Sequence, residues 1–121
     1  MDTVTPMAPR PSFAPSDCPV DRTMRVLSGR WKAWILYNLR HGPRRFNEMR
    51  RLMPTITQRM LTQHLRELEA DGIVARHVRE IVPPHVEYSL TDLGRTVMPI
   101  LEAMADWGAE RMRQEAAAQA A

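Results

Sequence analysis

The chain has 121 residues, of which 44% are hydrophobic and 26% charged, a composition typical of one globular domain. No apolar run approaches the roughly 20 residues that a membrane-spanning helix needs, and the first fifteen residues lack the apolar segment of a secretory signal. The single cysteine, Cys18, excludes an intrachain disulfide and a Cys-rich zinc site. We therefore expect a cytoplasmic protein without a membrane partner.

The net charge of +3 conceals an uneven distribution of charge along the chain. Residues 22–66 contain eleven basic residues and one acidic residue, Glu48, whereas residues 67–121 contain ten acidic and five basic residues. Such a concentration of positive charge indicates a polyanionic partner.

The N-terminal part of the chain divides into an arm and a first helix. Residues 1–17 contain four prolines without hydrophobic periodicity, which predicts a disordered arm. Pro19 is suited to a first helical turn, where its missing N–H costs nothing, and Ser28-Gly29 is expected to end the helix. The apolar residues of this helix recur at helical spacing: Val20, Met24 and Leu27.

Two further helices are predicted before residue 55. The first covers 32–40 and ends before Gly42-Pro43. Asn47 is expected to cap the second, which Pro54 ends. The apolar residues expected inside are Trp31, Trp34, Ile35 and Leu39 for the first helix, and Met49, Leu52 and Met53 for the second.

The clearest pattern in the sequence predicts a fourth helix, with its N-cap at Thr57 and a terminating glycine at Gly72. One face is an apolar stripe made of Leu61, Leu65 and Leu68. The other face carries side chains of the types that read base edges or bind phosphates, since arginine pairs with guanine and glutamine with adenine. Its members are Gln58, Arg59, Thr62, Gln63 and Arg66.

The C-terminal part predicts a β-hairpin and a long helix. Residues 73–82 are rich in β-branched residues and 85–90 alternate as a strand does, with prolines at the turn between them. Thr91 is expected to cap a helix whose interior Pro99 bends or splits it. Residues 114–121 predict a frayed helical tail, which leaves one domain over 18–113.

The order helix, helix, helix-turn-helix, hairpin, helix is that of a winged helix-turn-helix DNA-binding domain. The segments CPV, GRWK, GPRRF, LTQHLRELEADG and VPPHVEYSLT, in this order and spacing over residues 18–107, resemble the HxlR-type family of bacterial transcriptional regulators. The resemblance implies a mainly helical fold with a small hairpin wing. It also implies a homodimer, built from the first and last helices, that represses or activates a nearby promoter.

The expected DNA-binding residues lie on the fourth helix, before the third helix and on the hairpin. Arg59 and Gln63 are predicted to reach bases, whereas Thr57, Gln58 and Arg66 lie nearer the phosphates. The other residues predicted to contact DNA are Thr62 on the helix face, Arg44 and Arg45 before the third helix, and His77, Arg79 and His85 on the wing.

The last helix offers apolar residues on two faces, although a helix that packs only on its own domain needs one. A partner subunit is the economical explanation, and a two-fold dimer predicts a palindromic operator. The residues predicted at the dimer interface are Val20, Met24, Leu27, Val97, Leu101, Met104 and Trp107.

Cys18 has two interpretations. It is either a small buried hydrophobic residue, as cysteine often is, or a thiol sensor activated by a helix N-terminus and by Arg22 one turn on. Some HxlR-type regulators resemble this sequence at that cysteine and use it to sense oxidants, quinones or aldehydes. With no second cysteine, a switch needs a bridge between the two copies of Cys18, a mixed disulfide or alkylation.

Other functions receive less support from the sequence. No P-loop, GxSxG, HExxH or dinucleotide fingerprint is present, so we expect neither an enzyme nor a cofactor. His77 and His85 lack a third ligand, so we expect no metal site. An aromatic set is either core or the lining of a cavity for a small-molecule effector: Trp31, Trp34, Tyr37 and Trp107. The alternative function is a winged-helix protein–protein interaction module without specific DNA binding.

Overall fold

The computed structural model of the chain describes residues 18–27, 29–83 and 85–120. These residues form helices and a small antiparallel sheet. The predicted arm over 1–17 lies outside the described residues. The elements are α1 (Pro19–Val26), α2 (Gly29–Asn38), β1 (Arg44–Arg45), α3 (Phe46–Leu52), α4 (Gln58–Ala70), β2 (Val74–Arg79), β3 (His85–Leu90), α5 (Asp92–Arg95) and α6 (Met98–Ala120). Among the described residues, no helix combines the length and the apolar character that crossing a bilayer requires.

The predicted hairpin is confirmed, and it gains a third strand. The sheet order is β1-β3-β2, and both pairings are antiparallel. Arg44 pairs with Tyr88 and Arg45 with Glu87, so the two arginines that precede α3 form an edge strand. A two-residue strand has no periodicity of its own, and it exists here because β3 offers it a free edge.

The core lies between α2, α3, α4 and the sheet. The predicted leucine stripe of α4 is fully buried, which confirms the predicted faces of this helix. The fully buried large side chains are Ile35, Leu36, Leu39, Met49, Met53, Leu61, Leu65, Leu68 and Val74. This packing fixes α4 against the body of the domain and leaves its polar face outside.

Both ends of α4 form as the sequence predicts. The Thr57 hydroxyl oxygen accepts the N–H of Met60 at 3.1 Å, an N-cap bond. At the other end Gly72 has a φ of +75°, the left-handed conformation that favours glycine. The N–H of Gly72 donates to the Glu69 carbonyl at 3.0 Å and that of Ile73 to the Leu68 carbonyl at 2.9 Å. These two bonds satisfy two of the last carbonyls of the helix.

The boundaries of α2 and α3 differ from the prediction. Gly29 was predicted to end α1, but it is the first residue of α2. Its φ of +73° turns the chain sharply, so that the second helix begins directly after the first. Asn47 is not the cap of α3. The strand pairing of Arg45 places that residue at the cap position, where its N–H donates to Oε1 of Glu48 at 3.0 Å. Leu52, expected inside, is exposed at the end of α3.

Pro99 splits the predicted last helix in two. It is the second residue of α6, where a proline needs no N–H, and the short α5 precedes it. Thr91 caps α5 by accepting the N–H of Gly94 at 3.0 Å and donates to the Gly72 carbonyl at 2.6 Å. The expected frayed tail over 114–121 is helical as far as Ala120.

Any side chain at Gly94 is expected to destabilise this corner of the fold. A Cβ at this position would overlap the carbonyl oxygen of Ile73, whereas a Cβ at Gly108 would have no neighbour within 4 Å. Gly94→Ala should therefore lower the free energy of unfolding by roughly 1–3 kcal/mol, as overpacking does. Gly108→Ala, the matched control in α6, should raise it by about 0.5–1 kcal/mol through helix propensity. Urea unfolding measures both; equal shifts for the two variants would contradict the steric explanation.

Candidate nucleic-acid interface

The outward face of α4 collects all five of the polar residues that the sequence predicted there. They line one open depression together with Glu67. Gln58, Arg59, Gln63 and Arg66 are exposed, and Thr62 is half-buried. Within the described part of the chain neither Arg59 nor Arg66 forms an ion pair. Both guanidinium groups are therefore available to an anionic or base-edge partner.

The N-terminus of α4 adds to the positive character of this face. The first turn contains Gln58 and Arg59 and no acidic residue. Unpaired N–H groups and the helix dipole at such an end favour phosphate. Thr57 is exposed, but its hydroxyl oxygen already caps the helix, so any contact with a phosphate has to leave that acceptor role in place.

An ion pair that the sequence does not predict lies beneath this face. Lys32 of α2 is only 5% exposed, and its Nζ lies 2.5 Å from Oε2 of Glu67. The other carboxylate oxygen of Glu67, Oε1, accepts a hydrogen bond from Nε2 of Gln63 at 3.2 Å. The hydrogen bond from Lys32, and after it the one from Gln63, holds the pKa of Glu67 below its usual range. No sequence signal pairs Lys32 with Glu67, because the packing of α2 against α4 creates the contact.

The two arginines of β1 have different surroundings. Arg44 is half-buried; its Nε donates to the Asn38 carbonyl at 3.0 Å, and Nη1 lies 3.6 Å from Oε2 of Glu48. Arg44 thus ties β1 to the end of α2 and to α3. Arg45 is exposed, and of the two it presents the more accessible guanidinium to a phosphate.

The hairpin gathers two of its three predicted DNA-binding residues around Glu87. Arg79 reaches Oε2 of Glu87 with Nε and Nη2, each at 3.1 Å, and Nε2 of His85 lies 3.1 Å from Oε1. The hydrogen bond from His85, and then that from Arg79, lowers the pKa of Glu87 against burial, which raises it. His77 is exposed and takes no part in this cluster. Among the described residues, no three or more His, Cys, Asp or Glu side chains meet as metal ligands would.

The predicted dimer residues divide into two groups. Val20, Met24, Met104 and Trp107 are exposed, as an unpartnered interface requires. Leu27 and Leu101 are buried in the core of the protomer, and Val97 packs against that core, so these three residues offer less surface to a partner than the first four. An apolar stripe in a sequence indicates that a helix face is buried, but not by which subunit. At Leu27 and Leu101 the same subunit buries it.

Cys18 and the aromatic residues occupy different parts of the surface. Cys18 is the half-buried N-cap residue of α1, and its carbonyl accepts the N–H of Arg22 at 3.0 Å. Trp31 and Trp34 stack with ring centroids 5.5 Å apart and pack against the core, as Tyr37 does. Trp107 is 72% exposed on α6. The four aromatic side chains therefore do not form one cavity within the protomer.

The two carboxylates with lowered pKa predict how stability depends on pH. A group whose folded-state pKa lies below its unfolded-state pKa stabilises the fold above the unfolded value, and this stabilisation is lost as the pH falls through the folded value. Glu67 and Glu87 both belong to this class. The urea concentration at the midpoint of unfolding should therefore decrease as the pH is lowered from neutral to about pH 3. Glu67→Gln should show a shallower decline, and a decline as steep as that of the wild type would contradict the assignment to Glu67.

Comparisons with known proteins identify the family of the chain. The sequence profile of the HxlR-like helix-turn-helix family matches residues 26–116. The HTH-type transcriptional regulators YdeP and YybR of Bacillus subtilis (strain 168) are 56% and 58% identical to the chain over 91 residues. Each match covers 75% of this chain, and it covers 71% of YdeP and 73% of YybR.

A solved structure extends the similarity to the fold. The redox regulator HypR in its oxidized form superposes with a TM-score of 0.75 at 57% identity, covering 77% of this chain and 96% of that chain. The chain belongs to the HxlR-like helix-turn-helix family of transcriptional regulators.

Proposed function

We propose that this transcriptional regulator acts as a homodimer on an operator with two-fold symmetry, with α4 in the major groove of each half-site. The observation that carries the proposal is the face of α4, on which polar residues surround one open depression while the opposite leucines hold the helix to the core. An α-helix fits the major groove, where base edges are distinguishable. The β2–β3 hairpin is the wing that lies beside the DNA backbone.

The residues of this interface have separate roles in the proposal. Arg59 and Gln63 read base edges, because their exposed side chains carry the donors and acceptors that guanine and adenine match. Other residues position the helix on the backbone. These are Thr57, Gln58, Thr62 and Arg66 on α4, Arg45 with Arg44 behind it on β1, and His77, Arg79 and His85 on the wing.

The exposed apolar side chains of α1 and α6 support the dimer. Ile100, Met104 and Trp107 lie one turn apart along α6, and their exposed fractions are 44%, 50% and 72%. Val20 and Met24 are exposed on α1. A second copy of the chain would bury these residues and would place two recognition helices about one turn of DNA apart.

The test is fluorescence anisotropy of the reduced protein with duplex DNA from upstream of its own gene, at about 150 mM salt because affinity depends on salt. A scrambled duplex is the control. We expect a preference of roughly a thousandfold or more for a specific site. Where the upstream duplex contains no such site, selection from a random pool should recover a palindrome. Binding to no duplex, even at low salt, would replace the proposal with a protein–protein interaction module.

A second proposal is that Cys18 makes DNA binding responsive to oxidants. It is supported by the similarity to HypR, a redox regulator described in both oxidized and reduced forms, and by the half-buried position of Cys18 at the start of α1. Diamide would take two electrons and two protons from the two Cys18 thiols of a dimer. A disulfide between the subunits would then form.

Cys18→Ser is the variant that tests this response. We expect diamide to change the operator affinity of the wild type about tenfold, a usual size for coupling between two sites, and to leave Cys18→Ser unchanged. Non-reducing electrophoresis should show the disulfide-linked dimer for the wild type alone. Equal DNA binding by the treated and untreated wild type would refute the proposal.

A further inference from the structure

The only lysine of the chain is buried beneath the recognition helix. The sequence has 17 basic residues of the Lys and Arg types, and all except Lys32 are arginine. Lys32 is 5% exposed on α2, where an unpaired ammonium group would be costly. Its compact charge on a flexible stem reaches Glu67 of α4 from the buried side of that helix.

Glu67 joins this buried charge to the DNA-facing surface. Oε2 of Glu67 faces Lys32 at 2.5 Å, and Oε1 accepts the hydrogen bond from Gln63. Residues 63 and 67 are four apart and therefore share one face of the helix. Glu67 also lines the same depression as Arg59 and Gln63. One carboxylate thus bridges an anchored cation and a predicted base-reading amide.

We propose that Glu67, anchored by Lys32, is a positioning residue that sets the orientation of the Gln63 amide and so determines which base pair α4 prefers at that position. This inference rests on the proposed function. An ionised carboxylate only accepts hydrogen bonds, so the NH₂ group of Gln63 faces Glu67 and the carbonyl oxygen faces away. The oxygen and one remaining N–H then point outward as the pair that matches adenine N6 and N7.

The charge of Glu67 favours a role in specificity over a role in affinity. A carboxylate on a surface that approaches DNA repels phosphates, and so it weakens binding to every sequence. Removing the charge while keeping the shape, with Glu67→Gln, therefore has two expected effects. Binding to scrambled DNA becomes tighter, and the amide of Gln63 is free to rotate and present either end to the base.

The experiment measures base preference at one operator position. Selection from a random duplex pool defines the motif of the wild type, and Gln63→Ala identifies the position that this residue reads. All four base pairs at that position are then compared by anisotropy for the wild type, Glu67→Gln, Gln63→Ala and the double variant. Glu69→Gln is the matched control, because it makes the same charge change on the same helix and Glu69 is not bonded to Gln63.

We expect the wild type to prefer one base pair by about 5- to 150-fold, the range for one specific contact. Glu67→Gln should reduce this preference to less than about threefold, while Glu69→Gln should keep it. In the Gln63→Ala background, Glu67→Gln should change the preference no further, a result that a purely structural role would not give. Lys32→Met/Glu67→Gln removes both charges, so no buried cation is left unpaired, and it should lose the same preference.

Three outcomes overturn parts of the account separately. A wild type that selects no motif overturns the proposed function. A wild type with a motif from which Gln63→Ala relaxes no position overturns the reading role of Gln63, and this inference with it. A Glu67→Gln variant that is folded by circular dichroism and keeps the full preference overturns the inference alone.

Discussion

Trp107→Glu is expected to convert the protein to a monomer and to weaken operator binding about 10²–10⁴-fold, the usual advantage of two linked binding modules over one. Trp107 is 72% exposed within the protomer, so the change costs the fold of one subunit little. In a dimer the same side chain would lie within the apolar stripe of α6, of which it is the most exposed member. A buried glutamate facing its symmetry mate would be strongly unfavourable there.

Sedimentation velocity and anisotropy on the operator measure the two consequences together. Ala109→Glu is the control, since it adds the same charge to an exposed position about 200° around the same helix. It should leave both the dimer and the affinity unchanged. A Trp107→Glu protein that remains dimeric would show that α6 is not the interface. A monomer with undiminished affinity would show that one subunit suffices for binding.

The elements that the sequence predicted well are those that local chemistry determines. Thr57, the leucine stripe and Gly72 specify α4 within one short segment: a cap, a buried face and a left-handed terminator. The hairpin is similarly local. Since the polar face of α4 follows from the position of its leucines, the part of the candidate interface that lies on α4 could be predicted from this one helix.

The features that the sequence did not reveal are those that tertiary packing creates. β1 forms only because β3 offers an edge. That pairing places Arg45, and not the predicted Asn47, at the N-cap position of α3. Lys32 meets Glu67 only because α2 packs against α4. Leu27 and Leu101 are buried by residues of their own subunit, which their spacing in the sequence does not indicate. None of these contacts leaves a periodic signal in the sequence, because each depends on a segment distant along the chain.

Arg59→Ala should produce the second large effect, a loss of about 5- to 150-fold in operator affinity for each half-site, which relaxes the preference at one base pair of that half-site. The exposed guanidinium of Arg59 lies in the first turn of α4, beside Gln58 and on the rim of the depression. Within the described residues no ion pair holds this side chain back. A bidentate contact with guanine would use its planar fork, which alanine cannot replace.

Arg45→Ala distinguishes base reading from backbone binding. Arg45 is exposed on β1, away from the depression of α4, and its proposed partner is a phosphate. This variant should weaken binding to operator and scrambled DNA by the same factor, and it should reduce the slope of log affinity against log salt by about two, since each of the two subunits loses one phosphate contact. Arg59→Ala should change the ratio between the two duplexes instead. If Arg59→Ala also lowered both affinities equally, the guanidinium of Arg59 would be assigned to a phosphate contact. The remaining residues of α4 would then have to recognise the bases of the operator.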